Sequence, residues 1–151
     1  LQRILDATHD LYLVVGYPLS EQGRLYNALS LIKRGQIVAT YRKQCLPNYQ
    51  VFDERRYFTP GQDSAIVDIK GFKVALTICE DMWEEGPTLQ AAEAGAQLLL
   101  NINASPYHRD KPHERAQLLK ERAQLAKCPI VYTNLVGWQD DHSAWARPEY
   151  R

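Results

Sequence analysis

A chain of 151 residues can bury one hydrophobic core, and nothing in its composition asks for a second domain. Its 18 basic residues offset its 18 acidic ones, so no electrostatic footprint for nucleic acid or an anionic membrane surface stands out. No apolar run approaches the roughly 20 residues that cross a bilayer, and a soluble, cytoplasmic protein acting on a small molecule is the expectation.

The opening Leu1-Gln2-Arg3-Ile4-Leu5 reads as the tail of a helix, with earlier sequence expected to precede it. Leu11 to Gly16 is a short apolar run that Gly16 and Pro18 should stop, and it reads as a buried strand. Asn27 to Ile32 and Gln36 to Tyr41 form a hairpin through Lys33-Arg34-Gly35, ending beside Lys43. Ala65 to Ile69 and Phe72 to Ile78 repeat the device around Lys70-Gly71, ending at Cys79. A helix is expected from Pro87 to Ala94 with Gly95 as its cap, then the apolar run Gln97 to Ile102. A second helix follows from Pro112 to Lys127, its apolar face carried by Leu118, Leu119, Leu125 and Ala126 with Arg122 left out. Pro129 stops that helix, and Ile130 to Asn134 is a last strand. This order suggests a mixed sheet covered by helices, of α/β or α+β class. The tail 141–151 has no apolar period and reads as divergent.

Cys45, Cys79 and Cys128 show no CxxC spacing, and His9, His108, His113 and His142 show no ligand pattern, so neither a disulfide framework nor a metal site is expected. Cys45 and Cys128 read as structural thiols. Cys79 is different in its setting. The strand Val74-Ala75-Leu76-Thr77-Ile78 runs straight into it, and the two carboxylates Glu80 and Asp81 follow, which need solvent or specific partners. A nucleophile must be held rigidly and still be reachable, and a sharp turn at the end of a buried strand achieves both. A buried structural thiol remains the commoner use of such a cysteine. A working cysteine needs a cation or base to favour its thiolate. Lys43 is the candidate cation, if the two hairpin ends lie side by side in the sheet; a solvated lysine at a strand end is the plainer alternative.

The blocks Tyr41-Arg42-Lys43-Gln44, Leu46 to Glu54, Arg56-Tyr57-Phe58 and Ile78-Cys79-Glu80-Asp81-Met82-Trp83 resemble the nitrilase, or carbon-nitrogen hydrolase, superfamily. Within it, Cys-Glu-Asp-x-Trp together with Asn103 to Tyr107 and Val131 to Asp140 is similar to the glutaminase domains of NAD⁺ synthetases. The resemblance implies a nitrilase-type α-β-β-α sandwich, here incomplete at both ends, and a Glu-Lys-Cys triad. Cys79 matches the nucleophile, Lys43 the lysine and Glu54 an additional active-site glutamate that holds the lysine, whereas the general-base glutamate matches nothing here and would lie before Leu1. It further implies a pocket for glutamine lined by Tyr49, with Glu80 and Trp83 beside the nucleophile and Ser105 and Lys111 near the α-amino and α-carboxylate groups. No cofactor is implied in this domain. ATP and Mg²⁺ would belong to a synthetase domain that takes the ammonia, and a homo-oligomer is expected. On this reading the 151 residues alone would be inactive.

Two alternatives stay open. A stand-alone amidase of the same superfamily would share the triad, although such enzymes commonly carry an Arg-Phe-Pro type continuation after the cysteine, which Glu80-Asp81-Met82-Trp83 lacks. A catalytically inert interaction module is the other.

Overall fold

The computed structural model describes residues 1–49, 52–105 and 111–136. Expectations for His108 and His142, for the blocks reaching Tyr107 and Asp140, and for the tail 141–151 lie outside these residues.

Short two-residue turns create most of the sheet structure. β1 (Tyr12–Glu21) pairs antiparallel with β2 (Arg24–Lys33), β2 with β3 (Gln36–Arg42), and β4 (Ala65–Ile69) with β5 (Phe72–Ile78). Their turns, Gln22-Gly23, Arg34-Gly35 and Lys70-Gly71, have φ between +49° and +86° at both positions. That mirror-image turn matches the twist of the flanking strands, and glycine adopts its second position without strain. The first strand is longer than expected, because Gly16 and Pro18 lie inside it rather than ending it. β1 is an edge strand, where a proline need not supply a ladder N–H. At Gly16 the missing side chain makes room for the opposite sheet, since a Cβ there would stand 3.2 Å from Ile102 Cδ1.

Where the element order alone suggested a mixed sheet covered by helices, the structure has the two sheets of the sandwich that the resemblance implied, β1-β2-β3 and β4-β5-β6-β7, with β6 (Leu98–Asn103) and β7 (Ile130–Asn134) parallel to β5. A long segment carrying α2 (Glu54–Tyr57) separates β3 from β4, so the two hairpins share no ladder. That segment runs against the first sheet: Thr59 N–H donates to Leu25 O at 2.7 Å and Gly61 N–H to Lys43 O at 2.8 Å. Any Cβ at Gly61 would overlap the Arg42 carbonyl.

The sheets face one another across Leu29, Leu31 and Tyr41 on one side and Val67, Val74, Leu76 and Ile78 on the other. Burying each large side chain of this set contributes roughly 1.5–3 kcal/mol. The other face of the second sheet packs through Ala75 and Leu99 on Met82, Ala91, Ala126 and Cys128, which brings α3 (Glu85–Glu93) and α4 (Lys111–Ala126) against it. The layers are therefore sheet, sheet and helix. Pro87 sits within the first turn of α3, where its missing N–H leaves no intrahelical bond unmade. Gly95 (φ +81°) follows α3 and Lys127 (φ +54°) follows α4, so each helix ends in a left-handed residue. One expectation for α4 fails: Arg122, left off its inward face, is buried together with Ala126. No helix among the described residues is long and apolar enough to cross a membrane.

Candidate active site

Cys79 opens a 3-10 turn, Cys79–Met82, directly at the end of β5. Its φ is +45°, a left-handed conformation that a non-glycine residue holds only when its surroundings dictate it, and such residues concentrate at functional sites. The Sγ atom lies 3.5 Å from Ser105 Oγ. Ser105 is itself held by Asn134 of β7, whose Oδ1 accepts the Ser105 N–H at 2.9 Å and whose Nδ2 donates to Ser105 O at 3.4 Å.

Strand alternation aims Lys43 at this point. Ala39 and Tyr41 of β3 face the second sheet, so the residue two beyond Tyr41 faces it too. Lys43 extends the ladder past β3, its N–H donating to Asn27 O at 2.8 Å. Its side chain is 1% exposed, which rules out the solvated lysine, and Nζ donates to both oxygens of Glu54, at 2.9 and 2.8 Å. Asn27 Nδ2 adds a bond of 3.3 Å to Glu54 Oε1. The pair is thus satisfied from several sides, as a buried charge must be.

Electrostatics qualify the expectation that Lys43 turns Cys79 into a thiolate. Burial pushes the Cys79 thiol above its ordinary range; the Ser105 bond and then the Lys43 charge pull it down, while Glu80 and Glu54 push it up again. Lys43 acts in the expected direction, but its ion pair with Glu54 offsets its field. Burial outweighs the rest and leaves the thiol above its ordinary range.

The two carboxylates after Cys79 have separate fates. Glu80 points outward and accepts the Tyr49 O–H at 2.7 Å, while Tyr49, 50% exposed, meets Phe52 edge to face at 6.0 Å between ring centres. Burial and then the Glu80 bond hold the Tyr49 phenol protonated. Asp81 points inward and is completely buried. Its Oδ1 accepts Gln44 N–H at 3.1 Å and Cys45 N–H at 2.8 Å; its Oδ2 accepts Ile78 N–H and Tyr41 O–H, both at 2.9 Å. Burial pushes this carboxyl up, against the pull of the Cys45, Ile78 and Tyr41 donors and of Lys43.

Trp83 lies just past the turn, and Lys111 Nζ stands 4.5 Å above its ring centre while also pairing with Glu114 at 2.9 Å. Arg122 of α4 fixes the end of the turn: Nε donates to Met82 O at 3.1 Å and Nη2 to Trp83 O at 2.8 Å. Around Cys79 the structure therefore gathers Lys43, Glu54, Ser105 and Glu80, with Tyr49 bound to Glu80; Trp83 and Lys111 form an adjoining pair. Asn27, Asn134 and Arg122 were not anticipated. Each works by a hydrogen bond across a long sequence separation, which no local pattern reports. Asp81 did carry a signal, as an acid directly after a core strand.

The remaining features are structural. The Cys45 thiol is pushed up to about 12 by burial and then by Asp81, and Cys128 is buried in the helix-facing core. Among the described residues no group of three or more His, Cys, Asp or Glu is placed to hold a metal ion. Chemically, a thiol at a strained turn beside an ammonium and a hydroxyl suits attack on a carbonyl carbon, with the cation near the developing oxyanion.

Comparison with known proteins identifies the family and the fold. The carbon-nitrogen hydrolase family profile matches residues 3–149. A glutamine-dependent NAD(+) synthetase of Xanthomonas campestris is 49% identical over 142 residues, 93% of this chain and 26% of that protein. The structure of glutamine-dependent NAD+ synthetase from Acinetobacter baumannii in complex with ADP superposes with a TM-score of 0.85 at 38% identity, over 91% of this chain and 26% of its own. An amidase from Nesterenkonia sp. AN1 of the nitrilase superfamily, its active-site cysteine carrying the acetamide moiety of fluoroacetamide, superposes with a TM-score of 0.75 at 25% identity, over 88% of this chain and 51% of its own. The chain spans about a quarter of the length of the curated relatives it matches. It is a mixed α/β chain with the nitrilase fold, partial relative to the full domain, and it belongs to the carbon-nitrogen hydrolase family.

Proposed function

We propose that this chain is the glutamine-hydrolysing part of a glutamine-dependent NAD⁺ synthetase. The observation that carries the reading is Cys79 at a left-handed strand end, its thiol within the electrostatic reach of the buried Lys43–Glu54 pair, in a chain 49% identical to a synthetase of that name. Cys79 Sγ attacks the side-chain carbonyl carbon of glutamine, and the thiol proton passes to a base. Lys43 Nζ and the Glu80 backbone N–H stabilise the oxyanion. The C–N bond then breaks, the base returns its proton to the leaving nitrogen as ammonia departs, and a glutamyl thioester remains. Water cleaves that thioester to glutamate and frees the thiol. The ammonia goes to a synthetase domain that uses ATP to amidate deamido-NAD⁺.

Neither carboxylate acting on Cys79 suits the role of base. Glu54 is engaged by Lys43 and Asn27, and Glu80 by Tyr49. The base is instead a glutamate contributed from outside these residues, as the family resemblance implies. Around the pocket, Ser105 and Lys111 meet the polar ends of the amino acid, with Tyr49 and Trp83 as walls.

The test is Cys79→Ala in the full-length protein. Glutamine-dependent NAD⁺ formation is lost and ammonia-dependent formation is kept; survival of both activities refutes the reading.

A further inference from the structure

Asp81 lies outside the set of groups that the proposed chemistry uses, yet it is completely buried and its two oxygens accept four hydrogen bonds. Two of its bonds reach the backbone immediately after Lys43, at Gln44 and Cys45. A third reaches the backbone immediately before Cys79, at Ile78, and the fourth takes the Tyr41 phenol from β3 across the gap between the sheets. We propose that Asp81 is a positioning residue for the Cys79 reaction: a single carboxylate locks the strand end that carries Lys43 to the strand end that carries the nucleophile. The inference rests on the proposed amide hydrolysis for its activity readout, but its geometry does not.

The need for such a lock follows from the topology. β3 and β5 belong to different sheets and share no backbone ladder, so nothing in the sheet hydrogen bonding fixes how far Lys43 stands from Cys79. Apolar packing within the core cluster that includes Tyr41 and Ile78 permits sliding, whereas four directional bonds to one rigid group do not. The Ile78 bond also closes the chain over Cys79 from both sides and so holds its left-handed φ. Only an acceptor at both oxygens fits. An amide in place of the carboxylate would turn an NH₂ toward two donors that already occupy that side.

The experiment compares Asp81→Asn with the parent full-length protein, with kcat expressed per molecule recovered in the native peak of size-exclusion chromatography so that unfolded molecules do not count. Displacement of a reacting group by about 1 Å costs on the order of a hundredfold in rate, and the expected result is a kcat lower by about that factor with KM changed less than about threefold. A kcat within about threefold of the parent, or a loss confined to KM, overturns the proposal. If Asp81→Asn does not fold, Tyr41→Phe decides: removal of one of the four donors should lower kcat by about fivefold at constant KM, and an unchanged kcat overturns it. Cys79→Ala in the same assay separates the two ideas, because glutamine hydrolysis that survives it defeats the functional reading and not the lock. In that event amide hydrogen exchange decides. The Ile78, Gln44 and Cys45 amides should lose protection together in whichever of the two variants folds while β2 amides do not, and independent behaviour of the three overturns the lock.

Discussion

Lys43 Nζ sits between the two carboxylate oxygens of Glu54, at 2.9 and 2.8 Å, with the lysine side chain 1% exposed and the glutamate 19% exposed. That asymmetry makes the two halves of the pair unequal. Glu54→Gln leaves a buried ammonium without its counter-charge, which typically costs about 3–5 kcal/mol, and the residual exposure of Glu54 places the expected loss near the lower figure. Lys43→Met leaves a carboxylate that water and Asn27 still reach, and should cost about half as much. Urea unfolding of both variants checks the order.

The buried thiol sets a pH dependence. Alkylation requires the thiolate, and burial raises the Cys79 thiol. The midpoint of Cys79 alkylation by iodoacetamide should therefore lie above the ordinary thiol range. Ser105 lowers that thiol, so Ser105→Ala should move the midpoint higher still and slow labelling at a fixed pH of about 8. The sign for stability follows from the same shift. A thiol raised by folding contributes stability that is complete below its unfolded value of about 8.5 and is lost as pH rises through the folded value. Labelling followed by peptide mass spectrometry separates Cys79 from Cys45, whose thiol is pushed up to about 12.

Arg122 is expected to matter more than its helix position suggests. Arg122→Leu removes the donors to Met82 O and Trp83 O and leaves both carbonyls dependent on water. A loss of about 2–3 kcal/mol in thermal or urea unfolding is expected, together with a weakened hold on glutamine as Trp83 shifts.

At Gly61 the constraint is space alone. Gly61→Ala drives a methyl carbon into the Arg42 carbonyl, and the backbone must move at the point where it crosses the strand end leading to Lys43. Overpacking of this kind costs about 1–3 kcal/mol, which a shift in the unfolding midpoint would report.

How far the sequence foretold this arrangement differs from element to element. Arg34-Gly35 and Lys70-Gly71 were readable as hairpin turns because their chemistry is local, and so were the ends of α3 and α4 near Gly95 and Pro129. Lys43 and Cys79 were legible as strand ends, but that they belong to two different sheets came only from the family resemblance, since hydrophobic period says which face is buried and not which sheet a strand joins. The length of β1 was misjudged because Gly16 and Pro18 punctuate a chain only where the ladder needs their N–H or side chain, and an edge strand does not. The roles of Asn27, Asn134 and Arg122 depend on partners 27, 29 and 40 positions away, beyond the reach of any local rule.

The most direct measurement is to mix the full-length protein with glutamine, quench with acid during turnover, and map covalent adducts by peptide mass spectrometry. A glutamyl group, glutamine less ammonia, should appear on the Cys79 peptide and vanish in Cys79→Ala. Glutamine turnover with Cys79 unmodified, or with the adduct on Cys45 or Cys128, would contradict the account.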